Sequence, residues 1–566
     1  MPFDLKSFAE QVRPSPSRPS APPFANSVFD AGSPQYVRPE DLFLDIQARM
    51  FNIKRLGAQD LDRIDPSDFR TRWLRQGAGA LTLQRIGPVE DGHIADAIMG
   101  LLRCSQRRKE KHPTLLPVSP RLCVYKNIKP NLPNFYNDQL RPALSFADAV
   151  VFSQRIEALK ERLALGTQDD DSLKLLARSL LPVDAALMVN ARGASPIHDG
   201  PLLQDYSCNP VRILPVCGGL AQVIDTLIEF EGRLPRILWT RWLTATLRLW
   251  LPLFFLKRCS VTTQAVRIVK GVLATKNVAS PDAISSELFG TNSLLRGSKE
   301  WINQLSPIIQ DYVRARLELS ILLELCNLHE RLVAQGYDPR NSAHADNIDQ
   351  ELAAYEVKSG TPHHTPFPQA AGICNKGKLA MPGDPDSRWL SFDEWLVWIK
   401  DHVEALDALS RRIGADDTRS LLERVYAFIR PAYEPLRSGF GKNAYEYVAF
   451  ALGAPRKTER DPEFPDEFNL IFRGEGGRRA RHVMLQPGPE LLALLVQLVS
   501  YQAHGQSRAT AKLSDLLDLF DSLGIDFRSI PEDFDALKSD LLKLGLLQSS
   551  ADAAEAASLK PVYTLS

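Results

Sequence analysis

The chain is short of almost everything that marks a reaction centre or a membrane span in sequence. Its seven cysteines, Cys104, Cys123, Cys208, Cys217, Cys259, Cys326 and Cys374, are odd in number, and no two stand at CxxC spacing. A disulfide framework is therefore not expected, and a reducing compartment fits better. No complete GxxxxGK[ST] phosphate loop is present. The nearest approach, GICNKGK at 372–378, is followed by Leu379 where a magnesium-binding Ser or Thr is needed, and no apolar strand precedes it. There is no GxGxxG after a strand, no HExxH and no GxSxG. Charge of one sign is not in excess: Lys+Arg and Asp+Glu both number 68. That removes the global positive field expected of a nucleic-acid or anionic-membrane binder, and leaves a local basic patch open. Long apolar runs are missing too. The most hydrophobic stretch, LWLPLFFL at 249–256, lies between Arg248 and Lys257, whereas a bilayer span needs about 20 apolar residues. It reads as a buried core segment. The opening MPFDLKSFAEQVRPSPS lacks the apolar core of a signal peptide. These absences predict a cytoplasmic chain with no membrane partner, no cofactor and no catalytic motif on which an enzymatic reading can rest.

What is there is ordinary globular material. The 566 residues are 44% apolar and 24% charged, enough for several cores in three or four domains. A Pro/Ser-rich arm, RPSPSRPSAPPFANS, occupies much of residues 1–40 and cannot form a helix or a sheet ladder. Residues 41–335 read as a helical body. Leu42, Leu44, Ile46, Met50 and Ile53 recur at helical spacing, further helices are expected at 93–102, 220–230, 237–251 and 263–273, and the clearest stripe is at 307–333. Residues 336–390 are rich in Gly, Pro, His and Asn, as an irregular linker or loop would be. A helical segment follows at 391–465. Then a β-hairpin is expected at 466–488, where FNLIFR and RRARHVML alternate on either side of a Gly-rich turn.

Residues 489–566 have the best-defined layout. Pro489 and Pro531 suit helix starts, and Gly524 and Gly545 suit helix stops. Two strand-like pieces, LLQSS and SLKPVYTL, follow around a small polar turn. Three helices and a hairpin in this order resemble a winged helix. The expected fold is thus mainly α: a multi-helical body, a β-hairpin and a C-terminal winged-helix-like domain. Winged helices commonly place the third helix in the major groove. Here that helix, PEDFDALKSDLLKLG, carries Glu532, Asp533, Asp535 and Asp540 against Lys538 and Lys543, so a protein-docking role is as well suited to it. The phrases YVRARLELSILLEL (312–325) and LKSDLLKLGLLQSSADAAEAA (537–557) also resemble accessory proteins of bacterial anti-phage defence islands. That resemblance implies a helical partner-binding protein and transfers no catalytic residue.

Four groups of residues are candidates for chemistry. Arg473, Arg478, Arg479, Arg481 and His482 cluster about the Gly-rich turn, and Arg508 and Lys512 extend the patch. Arginines on a turn can grip phosphate oxygens bidentately; the bland reading is a solvated turn. The run Arg103, Arg107, Arg108, Lys109 and Lys111 has no aromatic residue to stack a base and reads as a charged helix end. Asp349, Glu356 and Lys358 place carboxylates near a lysine, as metal-dependent nucleases of the restriction type do; the competing reading is a solvated helix end. Cys326 and His329, with His344, His363, His364 and Cys374 beyond, are a scatter of metal-capable side chains, but structural zinc wants two tight pairs and only one is present.

The residues together predict a non-catalytic scaffold or adaptor of a bacterial multi-protein system, such as anti-phage defence. It would bind other proteins of that system, and whether its C-terminal region also contacts double-stranded DNA stays open. The alternatives are the metal-dependent nuclease, which Glu356→Ala would silence, and a winged-helix transcriptional regulator, which would need base-specific contacts.

Overall fold

The computed structural model describes residues 4–12, 46, 50, 136–141, 143–144, 151–163, 215–230, 233–234, 236–290, 295–296, 301–354, 378–380, 389–433, 439–453, 470–473, 483–505, 510–548 and 556–563. The Pro/Ser-rich arm beyond residue 12, the helix expected at 93–102 and the basic run at 103–111 lie outside them. Among the described residues there are thirteen α-helices and six strands of two or three residues, so the protein is mainly α. The helices are α1 (Leu5–Val12), α2 (Phe152–Leu163), α3 (Pro215–Phe230), α4 (Arg236–Thr275), α5 (Pro281–Phe289), α6 (Trp301–Ala334), α7 (Ala345–Ala353), α8 (Phe392–Arg412), α9 (Thr418–Ile429), α10 (Gly439–Ala451), α11 (Pro489–Gly505), α12 (Leu513–Ser522) and α13 (Pro531–Lys543). The strands pair in twos. β1 (Leu295–Arg296) runs parallel to β6 (Ile525–Asp526), while β2 (Lys378–Ala380) with β3 (Trp389–Ser391) and β4 (Ile471–Arg473) with β5 (Val483–Leu485) are antiparallel.

Two long helices form the centre. α4 has 40 residues, about 60 Å at 1.5 Å per residue, and packs along α6, which has 34. Separate helices were expected at 237–251 and 263–273; they are one helix, and the 249–256 run lies inside it. Pro252 interrupts the pattern by removing one backbone donor, a change that costs about 3 kcal/mol in a helix. Around it Leu251, Leu253, Phe254, Phe255 and Leu256 are all buried. At roughly 1.5–3 kcal/mol each, their burial outweighs the lost bond. No described helix is long and apolar enough to cross a membrane.

α3, α5, α8 and α10 pack against α4, and α8, α9 and α10 against α6. One apolar cluster runs from Phe8 of α1 to Leu559. Phe255 presents its ring edge-on to Tyr447 at 5.7 Å and to Tyr312 at 6.3 Å, joining α4, α6 and α10. Trp239 donates its Nε1–H to the Leu227 carbonyl at 2.6 Å, which satisfies a fully buried indole and ties α4 to α3. Charge also enters the α4–α6 seam: Lys270 and Arg314 both reach Oε1 of the buried Glu318, at 2.8 and 2.9 Å.

Local chemistry sets the helix ends. Asp417 and Ser420 form a reciprocal capping box on α9, with the Ser420 N–H on Asp417 Oδ1 at 2.7 Å and the Asp417 N–H on Ser420 Oγ at 3.0 Å. Ser280 caps α5 ahead of Pro281. At the end of α13, Gly545 adopts φ 69°, with its N–H on the Leu542 carbonyl and the Leu546 N–H on the Leu541 carbonyl. Those two bonds define a left-handed helix stop, as the glycine predicted. Residues 336–390, expected to be irregular, contain α7 and the β2 strand that pairs with β3.

Candidate functional site

The C-terminal unit is built by three helices and two returning segments. α11 opens at Pro489 and is buried along most of its length. Arg241 of α4 grips Glu490 in its first turn, with Nη2 at 2.9 Å from Oε2. Tyr501 at its other end donates to Glu229 at 2.5 Å and packs on Phe230 with ring centroids 4.4 Å apart. α12 lies against α3 at Gly219, where an added Cβ would come within 3.2 Å of Ser522 Oγ. The strand segments close the unit. Lys512 bridges Ser558 and Leu547 bridges Leu559, both antiparallel, so the 557–560 segment lies between 511–513 and 546–548.

Arg528 fixes the turn that leads from α12 to α13. Its guanidinium bonds Asp518 at 2.8 Å, Asp521, and the Ser514 carbonyl at 3.3 Å. Burial pushes the Asp521 carboxyl up, against the pull of that guanidinium. Asp526 accepts the backbone N–H groups of Arg528 and Ser529, both at 2.9 Å, which sets the chain up for Pro531 to start α13.

α13 has two opposed faces. Asp533, Leu537 and Leu541 recur every fourth residue and are buried. On the other side Glu532, Asp535 and Leu542 are exposed, followed by Leu544 just past the helix; the two leucines are 40% and 42% exposed. Asp540 at the flank accepts from Gln486 Nε2 at 2.9 Å and Lys543 Nζ at 3.2 Å, which joins α13 to the base of the β4–β5 pair. The outward surface is therefore acidic toward its start and carries, at its end, a leucine pair with the exposed Lys543 between them.

Of the basic candidates, Arg473 and Lys512 are among the described residues. Arg473 lies on β4, whose partner β5 returns in the antiparallel register expected of the hairpin. Lys512 is exposed at the start of α12, with its backbone N–H on Asp515 Oδ2 at 2.8 Å. Arg478, Arg479, Arg481, His482 and Arg508 fall outside the described residues. So do Glu356 and Lys358 of the nuclease reading. Asp349, its third member, is exposed on α7 and pairs with Arg412 at the end of α8 at 3.1 Å.

The metal-capable scatter separates into unrelated roles. Cys326 and His329 are both buried on α6, and burial pushes the Cys326 thiol up. His329 meets Trp398 and His402 edge-on, at 6.0 and 5.2 Å, while Trp398 and His402 stack at 4.3 Å. His344 instead accepts the Asp338 N–H at 3.0 Å in the turn before α7. Among the described residues no three His, Cys, Asp or Glu side chains are grouped to hold a metal ion. His363, His364 and Cys374 lie outside.

Sequence reasoning missed one polar arrangement. Gln497 is fully buried on α11 and accepts the Tyr563 N–H at 2.9 Å while donating to the Tyr563 carbonyl at 3.1 Å. The available signal was a lone amide within the apolar text LLALLVQLVS. Compared with known proteins, the chain matches no family model, no curated protein and no solved structure.

Proposed function

We propose that the chain is a non-catalytic scaffold or adaptor, whose helical body carries a C-terminal unit that docks a basic amphipathic helix of a partner protein. The observation that carries this reading is the outward surface of α13, which exposes Glu532 and Asp535 near its start and Leu542 and Leu544 at its end. Carboxylates and an apolar pair spread along one helix surface complement lysines and apolar residues spread along another.

The three helices and the bridged 511–513, 546–548 and 557–560 segments are consistent with a winged-helix-like unit. In such a unit the third helix is the one that enters DNA. The carboxylates of α13 oppose that use, because phosphate contact needs a positive surface. This weighs against the transcriptional-regulator reading. The Asp349–Arg412 pair likewise occupies a carboxylate that a nuclease would need for its metal. Contact with double-stranded DNA would fall to the Arg-rich segment of Arg478, Arg479 and Arg481. The anti-phage setting rests on the resemblance of the 312–325 and 537–557 phrases.

The test is binding of a labelled Lys/Leu amphipathic helical peptide to the full chain. The wild type binds and Leu542→Asp/Leu544→Asp does not. Equal binding by the two proteins would refute the docking face.

A further inference from the structure

We infer that the place between Gln497 of α11 and Trp242 of α4 is a binding site for a peptide residue with an aromatic side chain, and that the chain's own Tyr563 occupies it as a built-in ligand. The inference is independent of the α13 surface. Its basis is the use made of one buried amide. Gln497 has no exposure to solvent, and both ends of its amide serve the backbone of a single residue: the carbonyl oxygen takes the Tyr563 N–H at 2.9 Å, and Nε2 gives a proton to the Tyr563 carbonyl at 3.1 Å. This two-point contact takes both backbone groups of one residue at a bend of the chain, so it reads backbone and not a particular side chain. Selectivity comes from the ring. Tyr563 meets Trp242 edge-on, with centroids 5.9 Å apart and planes at 63°.

The occupant is partly open to solvent. Val562 and Tyr563 are 52% and 39% exposed, although the residues just before them, Ala557 and Leu559, are buried and bridged into the C-terminal unit. Without an occupant the Gln497 amide loses a donor and an acceptor together, and water must take their place. Whatever displaces Tyr563 must therefore supply one N–H and one carbonyl from a single residue, together with an aromatic ring for Trp242. An aromatic-bearing segment of a partner protein that bends at the aromatic residue, as this chain does at Tyr563, meets that requirement. The tethered Tyr563 competes with it at high effective concentration and sets a threshold for its entry.

The experiment uses a fluorescent peptide with the sequence of residues 560–566, followed by anisotropy. The chain lacking residues 561–566 is expected to bind it saturably, and the full chain at least tenfold more weakly. Gln497→Leu in the shortened chain abolishes binding. A peptide N-methylated at the tyrosine, which cannot donate to Gln497, binds at least tenfold more weakly than its parent. If the shortened chain does not fold, Tyr563→Pro in the full chain removes the same donor at unchanged length, and is expected to admit the peptide where the wild type does not. A folded variant with an opened site that fails to bind, or that takes the N-methylated peptide equally well, overturns the inference.

Discussion

Leu295 stands beside Ile525 in a parallel pairing, with its N–H on the Gly524 carbonyl at 3.0 Å and both side chains fully buried. β1 lies between α5 and α6, and β6 lies between α12 and α13, so the pair inserts the turn of the C-terminal unit into the helical body. Two residues per strand give little stability alone; the shared apolar core holds them. Ile525→Ala is therefore expected to cost about 2–5 kcal/mol, the usual cost of emptying a buried aliphatic site. Body and C-terminal unit should still unfold in one calorimetric transition. Two separate transitions in the wild type would show that the pair does not couple them.

Gly545 closes α13 with φ 69°, and an added Cβ there would meet nothing within 4 Å. The cost of Gly545→Ala is thus confined to the left-handed backbone, about 1–2 kcal/mol. Gly545→Asn should cost less, because asparagine visits that region more readily. Urea melts of the three proteins check the order Gly, Asn, Ala. Equal stability of all three would contradict the role given to this helix stop.

Lys257 is buried on α4 with Nζ on the Gly290 carbonyl at 2.6 Å, and burial pushes its ammonium down from 10.5 to about 8. Between pH 8 and 10.5 the unfolded chain holds a proton that the folded chain has released, so this group makes stability rise with pH across that window. Below pH 8 the folded state carries the whole penalty, roughly 3 kcal/mol. Lys257→Met removes that rise. It also strips the Gly290 carbonyl of a donor, worth about 1–3 kcal/mol, so stability near pH 7 changes little. Urea melts of wild type and variant from pH 7 to 10.5 test this, and parallel curves would contradict it.

Much of the local structure was legible in the sequence, and the nonlocal structure was not. Pro489, Pro531, Gly524 and Gly545 mark helix ends by backbone chemistry that acts within one turn, so they could be read directly. The stripe from Ile308 to Leu325 revealed most of α6 by periodicity. The continuity of α4 through Pro252 could not be read, because it depends on how many neighbours bury the residues around the proline. The Leu295–Ile525 pair joins segments far apart in sequence and leaves no periodic trace. Gln497 and His329 look like ordinary helix residues until Tyr563 and Trp398 are brought to them. At the candidate site the acidic character of α13 was legible. The outward position of Leu542 and Leu544 was not, because leucines at the end of an amphipathic helix are usually buried.

The most direct test of the adaptor reading is a salt titration of peptide binding by fluorescence anisotropy, with a Lys/Leu amphipathic helix and its Glu/Leu counterpart as ligands. The account predicts that the full chain binds the Lys/Leu peptide, that binding weakens with salt as screened charges should, and that Leu542→Asp/Leu544→Asp loses at least tenfold in affinity with an unchanged circular dichroism spectrum. Preference for the Glu/Leu peptide, or undiminished binding by the double variant, would contradict it.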